Sequence, residues 1–156
     1  MCIAKSTRFR FYKRVRLRDD RISLRLRGTV EASDSLGYVP SYLFDIYSLR
    51  DRAVVGRCDL RVGFNRNIYY AGNIGYSVSE QYRGNHYALS ACFLLQELAR
   101  RHGMRRLIVT CNPQNIASKR TCELFGAKYT ETAELPHDHE LFLLGERQKL
   151  IFIKEI

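Results

Sequence analysis

The 156-residue chain lacks the marks of several protein classes. Its five cysteines (Cys2, Cys58, Cys92, Cys111 and Cys122) are odd in number and form no CxxC pair. That excludes a secreted disulfide scaffold and points to a reducing cytoplasm. No apolar run approaches the ~20 residues that a membrane helix needs, and the best, Ala91–Leu95, is far shorter. Lys5, Arg8, Arg10, Lys13 and Arg14 open the chain, yet no apolar signal core follows them. There is no internal repeat, no low-complexity tract and no break in composition after residue 40. What remains is 46% hydrophobic and 27% charged, ordinary for a globular protein. A chain of this length buries roughly two-thirds of its unfolded surface without a staple. The expectation is one soluble cytoplasmic domain over residues 1–156, with a basic segment at residues 1–28.

Acidic residues are scarce at the start. Twenty-six Lys and Arg against sixteen Asp and Glu give a net charge of +10, and residues 1–27 hold ten basic and two acidic side chains. Such an arm suits an anionic partner (nucleic acid, a phosphorylated ligand or an acidic protein face). A solvated, cationic strand region explains the excess equally well. Zinc-finger spacing, an RNP-like aromatic motif and a sustained basic helix are all missing, which argues against specific nucleic-acid readout.

Ile22–Arg27 alternates in the period of a half-buried strand. Residues 31–37 read as a loop. Tyr42–Leu49 and Val54–Phe64 read as a hairpin turning at Arg50-Asp51-Arg52, and Asn65-Arg66-Asn67 as a second turn leading to a strand over Asn73–Val78. The period then changes. Tyr87, Ala88, Ala91, Leu94, Leu95, Leu98 and Ala99 form one apolar helical face, with Gln96, Glu97, Arg100 and Arg101 mainly on the other, and His102-Gly103 is a stop signal. Leu107–Val109 is the continuous run of a strand buried on both sides. Asn115 is a plausible N-cap of a second helix ending at Gly126. Tyr129–Thr132 and Lys149–Glu155 read as strands around a loop at Leu135–Gly145. The order predicts an α/β (α+β) fold with a mixed, mostly antiparallel sheet flanked by helices.

The connection Ser79–His86 joins the Asn73–Val78 strand to the Tyr87–Arg101 helix. A strand feeding a helix through a glycine-containing turn exposes the first unpaired N–H groups, and the helix dipole makes them attractive to an anion, with Arg83 as a cation beside them. Many such turns bind nothing, so specificity has to come from the wider pattern. Gln81-Tyr82-Arg83-Gly84 followed by a helix resembles the acetyl-coenzyme A pyrophosphate loop of GNAT-type N-acetyltransferases. Gly75-Tyr76-Ser77-Val78 resembles the family strand that pairs with the pantetheine arm. Asn115–Ala127 resembles its Asn-x-x-Ala-x-x-x-Tyr-x-x-x-Gly-Phe helix. The likeness covers residues 54–132, while the family's pair of early helices is not evident.

The resemblance implies a GNAT fold with reduced N-terminal helices and direct transfer of an acetyl group from acetyl-coenzyme A to an amine of a small-molecule or protein acceptor. It places Tyr76, Ser77, Val78, Arg83, Gly84, Asn85, His86, Tyr87, Ala88, Asn115 and Ser118 around the cosubstrate. Three positions depart from the pattern. His86 replaces the loop's second small residue, Cys122 replaces a tyrosine that often protonates the departing thiolate, and Ala127 replaces an aromatic residue.

An alkyl amine of pKa about 10.4 is neutral only about one part in a thousand near pH 7.4, so a base is expected. Asn73, where related chains often carry glutamate, cannot serve. The catalytic candidates are Glu80 near the loop, His137 and His139 in the cluster His137-Asp138-His139-Glu140, and Cys122 as acid or nucleophile. A polar surface loop and a packed thiol are their bland alternatives. The acceptor is expected against Leu36–Phe44 and Leu135–Gly145, with Tyr38, Tyr42, His137 and His139 lining it. His-x-His without further ligands argues against a metal site. A coenzyme A-binding sensor without activity and a basic nucleic-acid-associated protein remain as rival readings, and a homodimer is left open.

Overall fold

The alternating segment at Ile22 enters a five-stranded antiparallel sheet in the computed structural model, which describes residues 8–156. Its strands are β1 (Leu17–Arg18), β2 (Ile22–Val30), β3 (Ser41–Ser48), β4 (Ala53–Arg61) and β5 (Ile74–Val78), in that spatial order. A second, three-stranded antiparallel sheet is formed by β6 (Arg106–Cys111), β7 (Lys128–Glu134) and β8 (Gln148–Glu155), with β8 in the middle. Every recorded strand pair is antiparallel. Among the described residues four helices flank them: α1 (Arg66–Ala71), α2 (Tyr87–Arg101), α3 (Ile116–Leu124) and α4 (Glu140–Leu143). No helix among the described residues is long and apolar enough to cross a membrane.

The α2 periodicity is realised with the expected bounds. Ala91, Leu95 and Leu98 are fully buried against Tyr42, Phe44, Ile46 and Leu60 of the first sheet. Burying a leucine side chain of this kind stabilises by about 2 kcal/mol. Gln96, assigned to the polar face by its spacing, is buried. The β6 run is covered on both sides as expected: Leu107 and Val109 enter the main core, while Ile108 packs with Ala133 and Ile151 in a second cluster.

Two short helices replace expected irregular segments. Asn65-Arg66-Asn67 is not a free turn, because the Asn65 side chain accepts from the Ile68 N–H at 2.8 Å and caps α1. Within the expected Leu135–Gly145 loop, the His139 side chain accepts from the Leu141 N–H and caps α4. Neither helix spans two turns, so neither writes a readable 3.6 period. Of the basic N-terminal segment, Lys5 lies outside the described residues, as does Cys2. Arg8, Arg10, Lys13, Arg14, Arg16, Arg18, Arg21, Arg25 and Arg27 are all exposed, while Phe9, Phe11 and Val15 pack on the core. The segment is therefore strand-bearing and solvated on its charged side.

The two sheets meet at Asn73, which is fully buried. Its Nδ2 donates to the carbonyls of Arg61 (3.0 Å) and Gly63 (2.8 Å), and its Oδ1 accepts from the Ile108 N–H at 2.8 Å. Its own N–H donates to the Ile108 carbonyl and its carbonyl accepts from the Arg61 N–H, both at 2.7 Å. Beyond this point β5 pairs only with β4, and β6 only with β8. Asn73→Ala leaves three main-chain groups without partners. Each such loss costs about 1–3 kcal/mol, so the variant is expected to unfold at lower urea with a free-energy loss of about 3 kcal/mol or more and an unchanged urea dependence.

Candidate active site

The corner between β5 and α2 carries the loop residues singled out above. A 3-10 turn at Glu80–Tyr82 leads into Gly84, whose φ of +84° suits glycine. His86 takes a left-handed conformation as well, with φ of 58°. That is the conformation a glycine would supply, and it is strained for histidine by roughly 1–2 kcal/mol. The imidazole is exposed and makes no capping hydrogen bond, so it does not close the helix start. Helical bonding begins with the Ser90 N–H on the His86 carbonyl at 3.1 Å. The N–H groups of Tyr87, Ala88 and Leu89 precede it and are open to an anion. A side chain at Gly84 would point into open space.

Three arginines converge on the corner. Arg83 Nε donates to the Val78 carbonyl at 3.1 Å. Arg50 Nη2 donates to Asn85 Oδ1 at 3.2 Å, and Arg21 Nη2 donates to the Asn85 carbonyl. Arg21 and Arg50 carry no motif; one sits in the β1–β2 turn and the other in a hairpin whose sequence announces only a turn. The hairpin is held by a network beneath the loop. Buried Tyr87 and Ser48 both donate to Asp51 Oδ2, and the Tyr87 hydrogen bond holds the Asp51 carboxyl below its usual range. Glu80 is exposed on this corner.

On the same face of β5 as α2, Tyr76 reaches α3, its hydroxyl 2.6 Å from Ser118 Oγ. Burial pushes the Tyr76 hydroxyl above its ordinary pKa, so it stays neutral. Asn115 caps α3 by accepting from the Ser118 N–H at 3.0 Å. Cys122 is 1% exposed. A hydrogen bond to the Cys111 thiol, then burial, pushes its pKa far up. Ser77 is exposed and Val78 half-buried.

A cavity of about 620 Å³ lies on the face of the first sheet opposite α2, between residues 36–39, α1 and α4. Tyr38 and His139 line it, as expected; Tyr42 and His137 do not. Tyr42 sits in the core because the β3 alternation turns it toward α2, and its hydroxyl lies 2.8 Å from His102 Nε2. His137 is exposed and stacks on Phe142. Both ring nitrogens of His139 are engaged, Nδ1 by the Leu141 N–H and Nε2 by the Asn67 carbonyl at 3.3 Å.

Asp59, unremarked in the sequence, stands in the cavity floor. It occupies one row across three strands, paired with Leu43 on β3 and Gly75 on β5. Its Oδ2 meets Arg61 Nε at 2.8 Å, and a Cβ on Gly75 would lie 2.5 Å from its Oδ1. Burial raises the Asp59 pKa, against the opposing pull of Arg61. The period-2 pattern marks 59 only as facing away from α2, and nothing local shows that Gly75 clears space beneath it.

The sequence matches the family model described as an acetyltransferase (GNAT) domain over residues 7–128. No curated protein matches it. Among solved structures the chain is similar to RimL, a ribosomal L7/L12 alpha-N-protein acetyltransferase, at 12% identity, with a TM-score of 0.65 over 91% of this chain and 94% of that one. It is also similar to a GNAT-family acetyltransferase from Bacillus anthracis, at 20% identity and a TM-score of 0.57 over 72% and 65% of the two chains. A third likeness is to the microcin C7 self-immunity acetyltransferase MccE in complex with acetyl-CoA and AMP, at 19% identity and a TM-score of 0.55 over 74% and 61%. The chain thus spans less than two-thirds of the last two relatives. Because the matched residues run from the N-terminal strands through the glycine corner and past the Asn115-capped helix, the chain belongs to the GNAT acetyltransferase family.

Proposed function

We propose that the protein is an acetyl-CoA-dependent N-acetyltransferase that moves the acetyl group directly to an amine. The observation that carries this reading is the open start of α2, with Arg21, Arg50 and Arg83 gathered on it, together with an open cavity on the opposite face of the first sheet. Family membership supplies the cosubstrate. The free thiols of Cys58, Cys92, Cys111 and Cys122 suit a cytoplasmic setting.

In this reading the N–H groups of Tyr87, Ala88 and Leu89 and the three arginines hold the pyrophosphate, with Gly84, Asn85 and His86 shaping the loop. The stretch Tyr76–Val78 runs along the arm, and a main-chain N–H there polarises the thioester carbonyl. The neutral Tyr76–Ser118 hydroxyl pair and Asn115 border the arm. Amine nitrogen attacks the carbonyl carbon, the C–N bond forms as the C–S bond breaks, and sulfur leaves as a thiolate. Cys122 has no part in that step: its thiol is packed against Cys111 and holds its proton at neutral pH. The second reading, cosubstrate binding without turnover, is favoured by that same absence of an acid at 122.

Titration with acetyl-CoA is expected to raise the melting temperature saturably. Thiol release with a panel of amines then separates enzyme from sensor. Arg83→Ala combined with Gly84→Glu is expected to weaken acetyl-CoA binding at least tenfold by calorimetry while the circular-dichroism spectrum is retained; unchanged affinity would place the phosphates elsewhere.

Cys122→Ser is expected to keep more than about a third of wild-type kcat. Loss of all activity, together with an acetylated wild-type cysteine by mass spectrometry, would reinstate it as a catalytic group.

Tyr87→Phe removes the hydrogen bond that holds Asp51 ionised. A carboxyl whose folded pKa is lowered contributes stability above its unfolded value near 3.9 and loses it as pH falls through the folded value. The melting temperature of Tyr87→Phe is therefore expected to fall short of wild type at pH 7, and the gap to narrow below pH about 3.5.

A further inference from the structure

We infer that the cavity takes its acceptor as a primary amine carried on an apolar body, and that Asp59 Oδ1 is the atom that accepts the ammonium proton. This rests on the acetyl-transfer reading for its chemistry, but its recognition half stands on the cavity alone.

The floor of the cavity is the row Leu43–Asp59 on β3 and β4, continued by Gly75 on β5. Gly75 precedes Tyr76, where the arm is placed. Because glycine has no side chain, the Asp59 carboxylate lies directly on the main chain of β5, with Oδ1 at the spot a Cβ would need. Arg61 is held in place: its Nε holds Asp59 Oδ2, its Nη1 donates to the carbonyls of Ala71 (2.9 Å) and Gly72 (3.1 Å), and its Nη2 would lie 3.0 Å from the same Cβ on Gly75. One carboxylate oxygen is thus oriented by Arg61, and the other lies against the main chain of β5, the strand along which the arm is placed.

Charge favours a cation. The protein carries a net +10, yet this cavity is lined by Asp59, Asp138 and Glu140 with Arg61, which is paired to Asp59. Asp138 is neutralised at the rim by Arg66 at 3.0 Å. The charged and titratable groups that line the cavity with Asp59 are Arg61 on its own strand, Asp138, His139 and Glu140 from the α4 segment, and Tyr38 from the loop; on the same sheet face, one alternation step along β4 and β3, Arg57 pairs with Asp45 at 3.7 Å. β3 presents Leu43 and β5 presents Gly75, while α1 presents Asn67 and Ile68. Burial outweighs Arg61 and lifts the Asp59 pKa, which brings it closer to that of a base working near neutrality.

The walls select the body. Leu36, Leu143 and Leu144 stand 62%, 74% and 73% exposed around the mouth, with Val30, Leu43 and Ile68 further in. Single exposed leucines are ordinary, but three around one opening form a patch that water solvates poorly. A polar amine such as an aminoalcohol would gain nothing from them. In the transfer step, one proton of the ammonium passes to Asp59 and on to water. The freed lone pair forms the N–C bond as the C–S bond breaks, and the second proton ends on the departing sulfur.

The test uses n-butylamine through n-octylamine, with ethanolamine as the polar control, on the full chain. Calorimetry without acetyl-CoA is expected to show affinity rising about fourfold per added methylene, ethanolamine binding at least tenfold more weakly than octylamine, and Asp59→Asn weakening octylamine at least tenfold. Leu143→Ser with Leu144→Ser, both exposed and without risk to folding, is expected to weaken octylamine severalfold and leave ethanolamine unchanged. In thiol release, Asp59→Asn is expected to lower kcat roughly 10²–10³-fold and to abolish the acid limb of the pH profile, with Asp59→Glu restoring part of both. Equal affinity for ethanolamine and octylamine overturns the apolar assignment. An Asp59→Asn variant within threefold of wild type, or one that keeps the acid limb, overturns the role of Asp59. Chain-length-dependent binding with no thiol release from wild type upholds the cavity while removing the acetyl-transfer reading and, with it, the proton transfer.

Discussion

Everything that makes this fold useful follows from how Asn73 closes a seam that a strand ladder does not. Two sheets that part must leave main-chain groups facing each other across a buried junction, and each unpaired one carries a penalty of about 1–3 kcal/mol. A single side-chain amide, with a donor pair and an acceptor, satisfies the carbonyls of Arg61 and Gly63 and the N–H of Ile108 at once. The sheets are thereby joined at one point and free of each other beyond it. That freedom leaves β5 paired on one side only, with Tyr76 able to reach across to Ser118 rather than into a neighbouring strand. A glutamate at this position would place a charge in the junction, which the neutral amide avoids.

The charge distribution has the same logic. A net charge of +10 spread evenly would repel an ammonium and attract any polyanion. Here the charges are divided between the α2 start and the opposite face of the first sheet, where Asp59 is paired with Arg61 and Asp138 with Arg66. Arg21, Arg50 and Arg83 gather at the α2 start, and the carboxylates of Asp59, Asp138 and Glu140 line the cavity. The arginines are held by tertiary contacts, not by the loop itself. Asp51 is anchored by Tyr87 and Ser48, and the hairpin it belongs to carries Arg50 to Asn85.

The departures from the family pattern are explained by local chemistry. His86 keeps the backbone conformation that glycine would adopt and turns its ring to solvent, so the loop retains its shape despite the bulk. Cys122 occupies the tyrosine position as a core residue, its thiol paired with Cys111. Ala127 is buried and small, a packing substitution. His139, the most attractive titratable residue by composition, serves as a helix cap and a clasp between α4 and α1, with both nitrogens engaged.

The local code was sufficient wherever a signal repeats along the chain. The apolar spacing from Tyr87 to Leu98, the continuous run at Leu107–Val109, the Asn115 cap and the Gly84 turn each specify their own conformation through nearest-neighbour sterics and hydrogen bonds. Helices of six and four residues at Arg66 and Glu140 left no such trace, since their stability comes from Asn65 and His139 caps and from packing. Which groups meet was decided by the assembled sheets alone. Asp59 is an unremarkable outward residue of a strand until Gly75 is set beside it, and Arg50 a turn residue until Tyr87 draws its hairpin under the loop. Side-chain period reveals which face a residue occupies; the partner opposite depends on strand register and on contacts between residues far apart in the chain, and those exist only once the chain has folded.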